Sequence, residues 1–168
     1  MTSDCSFKLA GTSTSTIDGI GLSYNVFFQG CSHSCANCQN PELQDFQGGQ
    51  ESNTTDIINY ISNHKDFYDS IVLTGGDPID QPNATYQISQ VSLPTVLYTG
   101  YLFNQIPSDI IKNCNIIIDG PYDSLYATNG YTASTNQKVY INKNSFKATN
   151  QQLNNFINNH NLKKFYYF

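Results

Sequence analysis

The sequence predicts an α/β domain, in which short strands alternate with helices along the 168-residue chain. Two continuous apolar runs, Ile71-Val72-Leu73 and Ile116-Ile117-Ile118, are typical of strands buried on both faces of a parallel sheet. A segment with helical spacing precedes the first run, with Ile57, Ile58 and Ile61 on one face. This alternation indicates βαβ units, whose strands gather active-site residues at their carboxyl ends.

The individual elements follow from β-branched and aromatic runs and from helical periodicity. Strands are predicted at residues 24–29, 70–74, 95–99, 115–119, 138–142 and 165–168. Helices are predicted at residues 54–64, with Asn53 or Thr54 as the N-cap, and at 81–90 and 108–113. In the Asn-rich tail, Leu153, Phe156 and Ile157 share one helical stripe, which favours a surface helix over a linker.

The chain shows no internal repeat and no linker, so we predict a single domain over residues 1–168. Residues 11–16 are a low-complexity run, and we expect residues 1–16 to form a loose lead-in. The net charge of −5 argues against a nucleic-acid binder that relies on positive charge. No apolar run reaches the roughly 18 residues of a membrane span, and residues 1–10 do not resemble a signal peptide. We therefore expect a cytoplasmic protein.

Polar or glycine-rich motifs follow four of the predicted strands directly. They are Gly30-Cys31, Gly75-Gly76-Asp77-Pro78, Gly100-Tyr101 and Asp119-Gly120-Pro121. If the strands are parallel, these four exits face the same edge of the sheet. The sequence therefore predicts a functional site at that edge.

Three of the five cysteines form a C-x3-C-x2-C cluster at Cys31, Cys35 and Cys38. The odd total excludes complete internal pairing and favours free thiols or metal ligands in a reducing compartment. A zinc ribbon would carry a second ligand pair about 12 to 20 residues further on, and the sequence has none. Three thiolates on a [4Fe–4S] cluster would leave one iron open to a small ligand. Zinc held by the three cysteines and His33, or three thiols without metal, are the alternatives.

A glycine pair follows the second predicted strand, in the run Thr74-Gly75-Gly76-Asp77-Pro78. Two glycines permit positive φ and let the backbone approach a ligand without obstruction by a Cβ atom. Alone, this turn is also typical of an ordinary connection between a strand and a helix. This turn follows the cysteine cluster by about forty residues. The combination of the two motifs in this order is more specific than either motif alone.

Together these motifs resemble the radical SAM superfamily, and within it the activating proteins of anaerobic ribonucleoside-triphosphate reductase. Residues 18–23 (DGIGLS) are similar to the N-G-P-G-x-R-like turn of that family. Four further stretches match in order: VFFQGC at 26–31 with CQN at 38–40, LYTGY at 97–101, IDGPY at 118–122 and TASTNQK at 132–138. The resemblance covers about residues 17 to 142.

The resemblance implies an incomplete, mostly parallel β/α barrel of the radical SAM type and a [4Fe–4S] cluster with S-adenosylmethionine (SAM) as cofactors. It implies that three cysteines ligate the cluster, and that SAM is cleaved to methionine and a 5′-deoxyadenosyl radical. SAM-binding residues would be Asn37, Cys38 and Gln39 near the adenine, and Gly75, Gly76 and Asp77 near the methionine amino group. Residues at the rim or facing a partner would be Thr99, Tyr101, Asp119, Asn136 and Gln137.

The chain departs from the family pattern at several positions. Ser23 stands where the family has Arg, and Ile20 stands where it has Pro. Thr132 and Ala133 replace Arg and Gly in the last motif. Because Ser cannot form a bidentate ion pair, Ser23 cannot reproduce the contact of an arginine with a carboxylate.

The implied substrate is a backbone glycine of the large subunit of anaerobic ribonucleotide reductase, with a flavodoxin-like electron donor and no nucleic-acid or membrane partner. A chain of 168 residues is too short for a complete eight-stranded barrel of about 250 residues, and an open barrel admits a protein loop. The alternatives are a pyruvate formate-lyase-type activase, a deazapurine-forming synthase, or a zinc or iron–sulfur module without catalysis. The glycine pair speaks against the last, because a structural module does not need it.

Overall fold

In residues 4–168, the part of the chain that the computed structural model describes, eight strands form one open sheet flanked by four α-helices. The helices are α1 (Thr54–Asn63), α2 (Pro82–Ser89), α3 (Ser108–Asn113) and α4 (Asn150–Asn159). The strands are β1 (Ser6–Ser15), β2 (Ser23–Phe28), β3 (Gln50–Asn53), β4 (Ser70–Gly75), β5 (Thr95–Tyr98), β6 (Ile116–Asp119), β7 (Lys138–Ile141) and β8 (Tyr166–Tyr167).

The sheet has the strand order β3-β1-β2-β4-β5-β6-β7-β8, and its centre is parallel. Strands β2, β4, β5 and β6 run parallel to one another, and β7 pairs in parallel with β8. Antiparallel pairs occur between β1 and β2, β1 and β3, and β6 and β7. The predicted α/β fold with an open, mostly parallel sheet is confirmed, and the carboxyl ends of β2, β4, β5 and β6 meet at one edge.

Both faces of the sheet are buried, each in its own hydrophobic cluster. One cluster includes Phe28, Leu73 and Leu97 together with the buried residues of α1, α2 and α3. The other includes Val72, Val96 and Ile118 on the opposite face, where Leu153 and Phe156 of α4 cover them. Because successive side chains of a strand point to opposite faces, the continuous apolar runs serve both clusters.

The prediction of a loose lead-in at residues 1–16 is wrong for its described part, and residues 1–3 lie outside the described residues. β1 pairs with β2 on one side and with β3 on the other. Phe7 and Leu9 alternate into the core with exposures of 4% and 5%. The Ser and Thr residues that follow are compatible with a strand because hydroxyl and β-branched side chains fit a pleated surface. Pairing with β2 orders a segment that composition alone presents as flexible.

The six predicted strands and four predicted helices all occur, with ends that differ by at most two residues. Asn53 is the N-cap residue of α1, although its side chain makes no capping hydrogen bond. α4 begins with a capping box, in which Thr149 and Gln152 each accept a hydrogen bond from the backbone of the other. Sequence patterns missed β1 and also β3, which contains no buried residue.

The described residues contain no helix with the length and hydrophobicity that crossing a membrane requires.

Candidate functional site

The three clustered cysteines lie in the loop that follows β2, at the carboxyl edge of the parallel strands. Gly30 turns the chain with a φ of +102°, and its N–H donates to the Leu43 carbonyl at 2.8 Å. The Cys31 N–H donates to the Gln44 carbonyl at 3.1 Å, so the loop closes back on itself. All three thiols are half-buried and line one cavity of about 160 Å³. The fold therefore brings the predicted ligands together.

The glycine pair after β4 lies against the main chain of this cysteine loop. Gly75 has a φ of +110°, and a Cβ atom there would lie 2.5 Å from the Phe28 backbone. A Cβ atom on Gly76 would lie 2.2 Å from the Gly30 carbonyl oxygen. The Gly76 N–H donates to the Phe28 carbonyl at 2.7 Å. Both positions require glycine because two backbones touch here with no side chain between them.

Asp77 joins the glycine turn to the end of β5. Its side chain is 1% exposed, and Oδ1 accepts hydrogen bonds from the Ile79 N–H at 3.0 Å and the Thr99 hydroxyl at 2.8 Å. Oδ2 accepts from the Gly100 N–H at 2.8 Å. The Asp77 N–H in turn donates to the Gly30 carbonyl at 2.9 Å. A buried carboxylate with this many donors fixes the turn relative to two other loops.

Asp80, three residues further along the same 3-10 turn (Pro78–Asp80), bonds to the cysteine loop. Its Oδ2 accepts from the Ser32 N–H at 2.7 Å, and its Oδ1 accepts from the Ser32 hydroxyl at 2.9 Å. The Tyr101 hydroxyl donates to the same Oδ1 at 2.5 Å and lies 2.9 Å from the Ser32 hydroxyl. We call Asp80, Ser32 and Tyr101 the Asp80 cluster.

His33 lies between the cysteine loop and the end of β5. Its ring packs edge-on against Tyr101 at 4.6 Å, and a Cβ atom on Gly100 would lie 2.6 Å from the ring. Its Nε2 lies 3.1 Å from Asp77 Oδ2, and this interaction raises the pKa of His33 against the effect of burial. The imidazole therefore faces a carboxylate, which argues against His33 as a fourth ligand beside the thiols.

The environment of Cys31 and Cys35 disfavours their ionised form in the absence of a metal. Burial raises the pKa of Cys31 to about 11, against a hydrogen bond from the His33 backbone, and the nearby Asp77 and Asp80 raise it further. Burial also raises the pKa of Cys35, against a hydrogen bond from the Tyr122 backbone. A cationic metal centre would reverse this balance, because thiolates are the form that binds metal.

Most of the predicted site residues line the same cavity as the thiols. The lining includes the following predicted residues: Gln39, Gly75, Gly76, Asp77, Thr99 and Gln137. Asn37 is exposed with a φ of +55°, and its side chain donates to the Ser124 hydroxyl at 3.3 Å. Asn37 and Tyr101 lie outside the cavity lining, in the loops beside it.

Asp119 and Asn136 also lie outside the cavity lining. Asp119 is 3% exposed, and its Oδ2 accepts the Phe103 N–H at 2.8 Å. We predicted Asp119 at the rim or facing a partner, and its carboxylate is turned inward, where it holds the chain after β5. Asn136 donates to the Pro121 carbonyl at 2.9 Å and lines a neighbouring cleft.

This neighbouring cleft has a volume of about 1120 Å³ and continues from the thiol cavity. The two share six lining residues: Gln39, Asn40, Thr74, Tyr98, Ala133 and Gln137. Tyr98 and Tyr131 both donate to the Asp18 carbonyl, at 3.0 and 2.7 Å, and close one end of the cleft. Although the cleft is the larger space, the thiols lie in the smaller cavity, which therefore holds the candidate chemistry.

Ser23 and Ile20, two of the positions that depart from the family pattern, lie outside the lining of this cleft. Ser23 is fully buried, and its hydroxyl bonds to the Ser15 carbonyl at 3.1 Å and to Asn25 Oδ1 at 2.7 Å. Such a site has no room for an arginine without loss of these bonds. Thr132 and Ala133 line the cleft with short side chains. At Thr132 the wall of the cleft therefore carries a small neutral side chain where the family pattern has an arginine.

The donor set fits an iron–sulfur cluster better than a single metal ion. Within residues 4–168, no group of three or more His, Cys, Asp or Glu side chains could hold one ion together. The three thiols nevertheless share one cavity, as expected when each binds a different iron of a cluster. Gly75 and Gly76 line the same cavity, so a further ligand of the cluster would meet their main chain.

Sequence reasoning missed Ser32, Asp80 and the partners of Gln81. The Gln81 side chain accepts from the Lys8 N–H and donates to the Gln29 carbonyl, which ties β1 to the exit of β2. One signal was present for Asp80: a second acid three residues after Asp77 lies on the same side of a helical turn. No local pattern links Asp80 with Ser32, because 48 residues separate them.

Comparison with known proteins gives a consistent set of similarities. A family model described as a 4Fe-4S single cluster domain matches residues 17–140. The anaerobic ribonucleoside-triphosphate reductase-activating protein of Enterobacteria phage T4 is 29% identical over 138 residues, covering 75% of this chain and 88% of the relative. Its counterpart in Pasteurella multocida is 25% identical over 150 residues, covering 76% of this chain and 92% of the relative.

A third relative is the pyruvate formate-lyase-activating enzyme of Clostridium pasteurianum. It is 25% identical over 111 residues, covering 61% of this chain. This chain matches only 46% of the length of that enzyme. The similarity therefore extends over nearly all of the two reductase-activating proteins and over less than half of this lyase-activating enzyme.

Proposed function

The chain belongs to the family of 4Fe-4S single cluster domains, and from this premise we propose that it is a radical SAM activase of anaerobic ribonucleotide reductase. In this proposal it cleaves SAM reductively and generates a glycyl radical on the large reductase subunit. The observation that carries the proposal is the shared cavity in which three cysteine thiols face a main-chain turn of two glycines.

We assign the cluster ligands to Cys31, Cys35 and Cys38, and the SAM contacts to two sides of the cavity. Gly75 and Gly76, followed by Asp77, receive the methionine end, because their main chain lines the cavity that holds the thiols. Asn37, Cys38 and Gln39 flank the adenine side. A reduced [4Fe–4S] cluster held by these cysteines would supply the electron that cleaves SAM to methionine and a 5′-deoxyadenosyl radical.

The residues of the chain orient the reactants and keep water away from them. Asp77 and Thr99 hold the glycine turn at a fixed distance from the end of β5. Phe46 lies over Gly30, where a Cβ atom would be 2.3 Å from its ring, and so covers one side of the cysteine loop. Tyr98 and Tyr122 add aromatic rings to the cavity lining. Exclusion of water protects a reactive radical from side reactions.

A protein substrate is supported by the composition of the rim around the thiol cavity. The loop at residues 124–137 contains no charged residue. Leu125 and Tyr126 in this loop are 88% and 55% exposed, and Leu102 after β5 is 50% exposed. Uncharged surfaces with exposed aromatic and aliphatic groups are typical of the cores of protein interfaces. Asn136 and Gln137, in the same loop, are further candidates for contact with the partner.

Length coverage favours a reductase partner over pyruvate formate-lyase. The chain aligns with 88% and 92% of two reductase-activating proteins but with 46% of one lyase-activating enzyme. The small-molecule alternative is a deazapurine-forming activity. The uncharged rim favours a macromolecular substrate over a small one. We further propose a flavodoxin-like electron donor. We also propose a cytoplasmic location, because a reducing compartment keeps the thiols free.

The decisive experiment is anaerobic reconstitution of the chain with iron and sulfide, followed by reduction in the presence of SAM. We expect a [4Fe–4S] absorption band and formation of 5′-deoxyadenosine. The Cys35→Ala variant should lose both signals. The Cys5→Ala variant should keep them, because Cys5 directly precedes β1 and does not line the cavity. Unchanged cluster content in the Cys35→Ala variant would contradict the ligand assignment.

The partner is tested separately by electron paramagnetic resonance. The reconstituted chain is mixed with SAM and either the large subunit of the anaerobic ribonucleotide reductase from the same genome or pyruvate formate-lyase. A glycyl radical on the reductase subunit alone is the expected result. A radical on the lyase alone would refute the proposed partner while leaving the SAM chemistry intact.

A further inference from the structure

We propose that Asp80 is the positioning residue that sets the place of the cysteine loop relative to the glycine turn. This inference rests on the proposed function, because it concerns the cavity in which the cluster and SAM would meet. Its carboxylate lies on the short helical turn that directly follows Gly75 and Gly76, and it bonds to the residue that directly follows Cys31. One side chain thus spans the two halves of the site.

The donors of the three hydrogen bonds that the Asp80 carboxylate accepts all lie in other segments of the chain. Two come from Ser32, through the backbone N–H at 2.7 Å and the hydroxyl at 2.9 Å, and one comes from the Tyr101 hydroxyl at 2.5 Å. These donors lie 48 and 21 residues away. A residue that served only its own turn would instead accept from that turn, as Asp77 does from the Ile79 N–H.

The division of labour between Asp77 and Asp80 supports a role in positioning. Asp77 holds the glycine turn against Thr99 and Gly100, so it fixes the turn relative to the sheet. Asp80 accepts hydrogen bonds from Ser32, the residue after Cys31, so it fixes the cysteine loop relative to the same turn. Tyr101 connects both, because its N–H donates to the Thr99 hydroxyl and its hydroxyl donates to Asp80.

The charge of Asp80 gives the role a second, independent signature. Its carboxylate accepts the backbone N–H of Ser32 at 2.7 Å and therefore lies beside the residue that follows the ligand Cys31. A fixed negative charge near an iron–sulfur cluster makes the cluster harder to reduce. Removal of this charge should therefore move the reduction potential to less negative values. A residue with a purely structural role elsewhere in the fold would not produce this shift.

The test compares the Asp80→Asn and Asp80→Glu variants with the unchanged chain after anaerobic reconstitution. We expect Asp80→Asn to lose iron to a chelator several-fold faster and to show a less negative cluster potential. Asp80→Glu keeps the charge and changes the reach of the carboxylate, so it should lose iron faster with the potential little changed. The SAM-dependent change in the electron paramagnetic resonance spectrum of the reduced cluster should weaken in both variants.

Two controls separate this role from general destabilisation. Asp109→Asn removes a carboxylate that is 69% exposed on α3 and should behave as the unchanged chain. Ser32→Ala removes the hydroxyl but keeps the backbone N–H, so it should lose iron at an intermediate rate. Thermal unfolding of the metal-free variants shows whether each remains folded at the assay temperature, and a variant that does not is measured at a lower temperature.

The outcomes distinguish the two proposals. If the unchanged chain takes up no [4Fe–4S] cluster, the proposed function fails. If the unchanged chain takes up the cluster and Asp80→Asn matches it in iron retention, potential and response to SAM, the role of Asp80 is refuted. If Asp80→Asn and Asp109→Asn lose iron equally fast, a local positioning role is refuted as well.

Discussion

The two edges of the sheet use buried polar groups in different ways. At the carboxyl edge, Asp77 accepts from Thr99 and Gly100 and connects loops that surround the thiol cavity. At the opposite edge, the Lys147 ammonium donates to the Ser89 carbonyl and, at 2.9 Å, to the Asn113 carbonyl. These carbonyls lie at the carboxyl ends of α2 and α3, where a cation is favourable.

The difference shows that a polar group in this fold can serve stability or function according to its edge. Lys147 donates hydrogen bonds to the last carbonyl groups of two helices, which have no partner within the helix. Neither Lys147 nor these carbonyl residues line the thiol cavity. Asp77 and Asp80 hold loops whose relative position defines the candidate site. Substitutions at the two edges should therefore separate loss of stability from loss of chemistry.

The largest effect is expected for Asp77→Asn. In this variant one carboxylate oxygen is kept and the other is replaced by an amide NH2 group. That NH2 group cannot accept the hydrogen bond that the Gly100 N–H donates to Asp77 Oδ2. Formation of 5′-deoxyadenosine should fall at least about tenfold, and the free energy of unfolding by about 2 to 3 kcal/mol. Urea unfolding of the metal-free chain and product assay of the reconstituted chain measure the two effects. Full retention of SAM cleavage would break the proposed contrast between the edges.

Lys147→Met should lower stability without altering the chemistry. The variant leaves the carbonyls of Ser89 and Asn113 without their donor, at a cost of about 2 kcal/mol in the free energy of unfolding. SAM cleavage per reconstituted cluster should stay within about twofold of the unchanged chain. Lys112→Met, at an exposed ion pair with Asp109, is the matched control and should cost less than about 0.5 kcal/mol. A selective loss of SAM cleavage in Lys147→Met would contradict the assignment.

The smallest effect is expected for Asp119→Asn, and it depends on pH. Burial raises the pKa of Asp119, against hydrogen bonds from the Phe103 and Lys138 backbones. The folded chain therefore holds this proton more tightly than the unfolded chain, a stabilisation present at low pH and lost as the pH rises through the raised pKa. Relative to the unchanged chain, the variant should gain unfolding free energy as the pH rises through the raised pKa of Asp119, across the acidic and neutral range of pH. Urea unfolding across this range measures the trend, and a parallel pH dependence of the two chains would refute it.

The parallel centre of the sheet is predictable from sequence because its strands carry their own signal. The runs Ile71-Val72-Leu73 and Ile116-Ile117-Ile118 have no polar face, so they need partners on both sides. β1 and β3 carry no comparable signal: β3 is Gln-Glu-Ser-Asn, and it forms because β1 offers free backbone groups along one side. Strands of this kind are stabilised by their neighbour and not by their own composition.

The candidate site divides in the same way. The spacing of Cys31, Cys35 and Cys38 and the glycine pair are local in the sequence, and the fold brings them to one cavity. The inward orientation of Asp119 and the contact of Asp80 with Ser32 depend on how distant loops meet, so no local pattern contains them. Metal-binding motifs are thus visible in the chain itself, whereas the groups that hold them in place become visible in the fold.

The direct contact between Gly76 and the Gly30 carbonyl has an evolutionary consequence. The spacing between the two loops is a main-chain dimension, since a Cβ atom at Gly76 would lie 2.2 Å from that oxygen. Side chains elsewhere in the loops can therefore drift without altering it. This tolerance accounts for a chain in which Ser23, Thr132 and Ala133 differ from the family pattern while the cysteines and glycines remain. Selection on such a site acts on a few small residues and leaves its surroundings free to diverge.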